Sequence, residues 1–156
     1  LHPEYRRQRQ MCIRDSKVLG ADWHIDLIGL DVTTKIQFPP DIFSQIAELS
    51  PSIGGFIHDI CGFYINFYSE IVGKRVCLMH DPAAVLAISD RDIFTFQKEP
   101  LSVIVDGEEV GNSFVSKNTS RKAVSVAVGV DVEAAKQRFI AILGVADSAY
   151  NKRVNS

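Results

Sequence analysis

Leu78-Met79-His80-Asp81-Pro82-Ala83-Ala84-Val85 is a loop-to-helix junction. Asp81 reads as an N-cap and Pro82 as the first helical residue, where a missing N–H costs nothing. A short helix over 83–88 follows. Upstream, Lys74-Arg75 form a polar loop after Gly73, which ends a long helix. Its Ile53, Ile57, Ile60, Tyr64, Phe67 and Ile71 make one apolar stripe. Pro51 suits its first turn, while Gly54-Gly55 weaken its start by roughly 1 kcal/mol each relative to alanine. Further back, Pro39-Pro40 break the chain, and Ile42, Phe43, Ile46 and Leu49 recur at helical spacing up to Ser50. Residues 25–32, IDLIGLDV, are a short apolar run that suits a buried strand.

Downstream, 101–105 and 110–115 read as a hairpin joined through Asp106-Gly107. Residues 124–128 read as a third strand. Asp131 caps a last helix whose Val132, Ala135, Phe139 and Ile142 share a face, with Gly144 as its stop. The polar tail from Ala146 is expected to fray. Strands alternating with helices predict α/β. A doubly wound sheet needs parallel neighbours, and the strand at 25–32 has none upstream. The expected architecture is therefore the C-terminal part of an open, doubly wound, Rossmann-like sheet whose N-terminal half is missing.

The bulk numbers exclude several classes. The 156 residues are 46% hydrophobic and 23% charged with a formal charge of −2, so there is no electrostatic footprint for nucleic acid or an anionic membrane. No apolar run reaches the roughly 18–20 residues of a membrane helix. Cys12, Cys61 and Cys77 lack metal-ligand spacing, and their odd number argues against a disulfide framework, leaving the cytoplasm as the expected compartment.

Residues 1–16, LHPEYRRQRQMCIRDS, show no hydrophobic period and lack the apolar centre of a signal peptide. Residues 6–15 back-translate codon for codon into a transposon-type sequencing adapter. They are expected to be a disordered, non-native leader, with 17–156 forming a portion of a single domain in a truncated gene product. Without them, 13 Lys+Arg face 17 Asp+Glu.

His80 beside Asp81 is the leading candidate site, although a surface histidine next to an N-capping aspartate gives the same local pattern. Tyr64 and Tyr68, spaced i, i+4 on one helix face, fit either a ligand wall or core packing. His58-Asp59 lies inside the long helix and reads as a solvated pair. His24, beside Trp23, reads as a surface turn. Asp31 and Thr33, at a strand's C-terminal end, read as structural or supporting residues. Cys77 has no independent histidine base and reads as a small apolar residue.

The tyrosine-bearing helix, short loop and L-x-H-D-P junction, together with Gly29-Leu30-Asp31-Val32-Thr33, resemble the inosine-uridine preferring nucleoside hydrolase family over 17–144. The resemblance implies cleavage of the N-glycosidic bond of ribonucleosides, assisted by calcium (Ca2+), in a homo-oligomer of two or four subunits. His80 would then be the acid that protonates the leaving base, Asp81 a calcium ligand, and Tyr64 and Tyr68 base contacts. The family's D-T-D-x-G-x-D-D motif, which supplies the general base and most calcium ligands, does not occur in this sequence. The chain as given is therefore expected to be inactive. The alternatives are a His-Asp type metal phosphohydrolase, suggested by the two His-Asp pairs, and a non-catalytic binding module.

Overall fold

Strand β1 (Asp26–Leu27) finds its parallel neighbour downstream rather than upstream: it pairs with β7 (Val124–Val130), Asp26 opposite Ser125 and Leu27 opposite Val126. With β4 (Phe94–Glu99) they make an open sheet in the order β1-β7-β4. The computed structural model describes residues 3–118 and 120–154. Two units are distinguished, residues 1–27 with 96–128 and residues 28–95 with 129–156.

The first unit holds helix α1 (Pro3–Leu19), β1 and the hairpin strands β5 (Leu101–Val103) and β6 (Ser113–Val115). Its core gathers Leu19, Leu101 and Val124, with Ile25, Leu27, Val103 and Val126 packed around them. The leader was expected to be disordered; its described part is helical instead. Arginine, glutamine and methionine are good helix formers. Cys12 and Leu19, two turns apart, are both buried on it. The hairpin pairs Leu101 with Val115, and its strands are shorter than expected. Gly107 and Gly111 take φ of 90° and 100° in the connection, where a side chain would be strained.

The second unit carries α2 (Leu30–Thr33), β2 (Gln37–Phe38), α3 (Pro40–Leu49), α4 (Ile53–Val72), β3 (Cys77–Leu78), α5 (His80–Ser89) and α6 (Val132–Val154). The 25–32 run is thus only partly strand. After Leu27 the Val32 and Thr33 N–H groups turn back onto the Gly29 carbonyl, making a one-turn helix that leaves Leu30 exposed and buries Val32. Pro51 stands in a turn ahead of α4. Gly73 ends α4 with φ of 68°, as expected. Helix α5 starts at His80 with Met79 as its cap, so Asp81 lies in the first turn and is not the N-cap. The chain order gave no sign of β4.

Gly144 does not stop the last helix, which continues through Ala146 to Val154. Asp131 caps α6 through the Ala134 N–H at 3.0 Å, as expected. The helix then continues because Asp147, only 6% exposed, accepts hydrogen bonds from the Ser52 and Ile53 N–H groups at 3.0 Å each. Those donors at the start of α4 have no partner within their own helix. The Ile53 N–H first, with Ser50, Ser52 and Asn151 adding to it against burial, holds the Asp147 carboxyl below the usual carboxylate range. A depressed folded-state pKa stabilises the fold above the unfolded value and loses that contribution as pH falls through the folded one. The melting temperature of Asp147→Asn is therefore expected to lie several degrees below that of the parent at pH 7, with the gap closing below pH about 4. A gap independent of pH would contradict the carboxylate's role.

Gly54 also has a reason to be glycine. A Cβ there would stand 2.4 Å from the Ile46 carbonyl oxygen of α3, whereas one on Gly55 meets nothing within 4 Å. Gly54→Ala is expected to cost about 1–3 kcal/mol through overpacking, despite its gain in helix propensity. Gly55→Ala should stabilise by up to about 1 kcal/mol. Urea melts of the two variants should move the midpoint in opposite directions.

Candidate active site

Two short strands place the His80 side chain. Strands β2 and β3 pair antiparallel, Gln37 opposite Leu78 and Phe38 opposite Cys77. The Met79 N–H extends the ladder to the Ile36 carbonyl at 3.2 Å. Phe38 is fully buried, its ring 5.9 Å from Phe43 and 5.3 Å from Phe139, so side-chain packing fixes a ladder of very few hydrogen bonds. The chain leaves this ladder on one strand toward α2 and on the other into α5. Thr33 and His80 therefore meet across it, Thr33 Oγ1 lying 2.7 Å from His80 Nδ1.

Helix α4 forms the facing wall. The Tyr64 and Tyr68 rings are 4.5 Å apart at 35°, and the Tyr68 ring is 6.3 Å from the His80 ring. The Tyr64 hydroxyl donates to the Leu78 carbonyl at 3.4 Å. Burial first, then its hydrogen bond to Tyr68, pushes the Tyr64 phenol above the ordinary tyrosine range, which keeps it a neutral donor. These residues, with Asp81, Ile60, Phe63 and Phe139, line a cavity of about 700 Å³. Such a volume suits a small organic ligand, and the walls are apolar with a few convergent polar groups.

The structure thus brings Tyr64, Tyr68, His80 and Asp81 onto one cavity and ties Thr33 to it from behind. It does not gather the other candidates there. His58 and Asp59 pair at 3.2 Å on the exposed side of α4. His24 pairs with Asp26 at 3.4 Å, and Asp31 is exposed in the first turn of α2. Cys61 and Cys77 share the cavity wall; the hydrogen bond between them and burial raise the Cys77 thiol, so it stays protonated and is no thiolate nucleophile. The sequence reading missed Cys61, Phe139 and Leu143 as lining residues. Phe139 was assigned to a shared face of the last helix, but nothing in its spacing told which neighbour that face would meet.

Among the described residues there is no group of three or more His, Cys, Asp or Glu side chains able to hold a metal ion. Asp81 is the cavity's one carboxylate, and calcium wants 6–8 oxygens. The residues present do not make a calcium site. The His-Asp phosphohydrolase reading needs an all-helical domain, and the seven strands among the described residues count against it. No helix of the described residues is long and apolar enough to cross a membrane.

The sequence profile of the inosine-uridine preferring nucleoside hydrolases matches residues 16–137. A probable uridine nucleosidase 1 of Oryza sativa subsp. japonica is 27% identical over 123 residues, covering 72% of this chain and 37% of that protein. The inosine-uridine preferring nucleoside hydrolase of Crithidia fasciculata is 24% identical over 91 residues, 58% of this chain and 29% of its own. The solved purine-preferring ribonucleoside hydrolase of Gardnerella vaginalis superposes with a TM-score of 0.76 at 27% identity, over 85% of this chain and 43% of that one. This chain spans less than half the length of each of these relatives.

Proposed function

The chain belongs to the inosine-uridine preferring nucleoside hydrolase family, and on that premise we propose that it carries the leaving-group side of a ribonucleoside N-ribohydrolase site. The observation that supports this best is His80 on the rim of an apolar cavity, its ring 6.3 Å from that of Tyr68. When the C1′–N bond of a ribonucleoside breaks, the bonding electron pair leaves with the base and the ribosyl carbon takes on oxocarbenium character. An anionic base is a poor leaving group. His80 supplies the proton that lets it depart neutral, a contribution of about 10²–10⁴-fold for a positioned acid. The Tyr64 and Tyr68 rings offer a stacking surface for the planar base. Ile60, Phe63 and Phe139 add apolar surface to the same cavity. Water takes the place of the base at C1′, giving ribose.

Asp81 is the proposed carboxylate on the metal side of the site. Because the described residues hold no complete ligand set, no step is assigned to calcium here. A homo-oligomeric state and a cytoplasmic location belong to the same proposal. The test is incubation of the full-length enzyme with inosine and with uridine, followed by base absorbance and reducing sugar. Release of free base and ribose in equal amounts supports the proposal. Intact nucleosides, or release that requires inorganic phosphate, would overturn it.

A further inference from the structure

We infer that Thr33 is a positioning residue for His80, setting which ring nitrogen serves the cavity. The inference rests on the leaving-group role proposed for His80. Thr33 is 2% exposed. Its N–H is spent on the Gly29 carbonyl at 3.0 Å, and its own carbonyl accepts from Ile36 at 3.1 Å. Among the described residues the hydroxyl has one side-chain partner, His80 Nδ1 at 2.7 Å. A buried hydroxyl hydrogen without an acceptor is costly. With a neutral imidazole, the hydroxyl therefore donates to Nδ1, and the ring hydrogen stands on Nε2, away from Thr33.

With Nδ1 held by the Thr33 hydroxyl, Nε2 is the ring nitrogen left to serve the departing base. The same bond also resists rotation of the ring away from Tyr68. A carboxylate could only accept, and a valine could do neither.

The proposal is read directly by 15N nuclear magnetic resonance of the full 156-residue chain labelled at histidine, at alkaline pH where imidazoles are neutral. His80 is expected almost wholly in the form protonated at Nε2, with Nδ1 shifted by an accepted hydrogen bond. Thr33→Val should relax it toward the free-imidazole mixture, and Thr33→Ser should keep it. A His80 spectrum of the unsubstituted chain that shows the free mixture, or hydrogen on Nδ1, overturns the inference even if the valine variant does not fold. In the full-length enzyme, Thr33→Val should lower kcat for inosine on the order of 10- to 100-fold, as for partners that orient a metal-bound imidazole. KM should change little, and Thr33→Ser should recover most of the rate. A serine variant as slow as the valine one also overturns it. The spectrum reads the contact without catalysis, whereas an undiminished kcat in a His80→Ala enzyme overturns the acid role itself.

Discussion

His80→Ala in the full-length enzyme is expected to lower kcat for inosine and uridine by about 10²- to 10⁴-fold, with KM within a few-fold of its starting value. The side chain stands beside Tyr68 on the cavity, and its backbone is fixed by the β2–β3 ladder rather than by contacts of the ring. Truncation therefore removes the proposed proton donor and leaves the walls in place. Proton donation matters only while the bond is breaking, so the loss falls on the chemical step. The leaving group provides the control. A riboside that expels a weakly basic phenolate needs no protonation, and the variant should cleave it at nearly the parent rate. Equal losses on both substrates would show that His80 shapes the pocket rather than acting as the acid.

The second large effect concerns the 156-residue chain by itself, which is expected to release no measurable base from inosine or uridine. Calorimetric titration with calcium should show no saturable site as tight as the ~10⁻³ M of the weakest multi-ligand protein sites. The described residues hold no cluster of three candidate ligands, and Asp81 is exposed with no second carboxylate beside it in the cavity. Sequence agrees, since no aspartate-rich D-T-D-x-G-x-D-D run occurs. An attacking water then has no metal cluster among the described residues to activate it, and a leaving-group acid alone does not complete the reaction. Saturable calcium binding, or turnover of either nucleoside, would show that these residues form a more complete site than their placement suggests.

What the sequence revealed followed from how local each signal was. The long helix from Ile53 and its stop at Gly73 were legible because a 20-residue apolar stripe and a left-handed glycine both act within their own element. The hairpin and the Asp131 cap were legible for the same reason. Gly144 misled because glycine stops a helix only when nothing outside holds it together, and Asp147 binds the start of α4 ninety-odd residues away. The 25–32 run misled because apolar composition does not separate one turn of buried helix from a strand. At the site, His80, Asp81, Tyr64 and Tyr68 could be named from type, spacing and resemblance. The contact from Thr33 to His80 could not, because it spans 47 residues and depends on two strands of two residues each.

That brief ladder has a mechanical consequence. Phe38 is clamped between rings from α3 and α6, and the strand opposite it leads within three residues to the imidazole. The His80 imidazole is thereby linked to the aromatic centre of its unit through a short run of backbone. A substitution that loosens Phe43 or Phe139 is therefore expected to reach the imidazole through that short run of backbone.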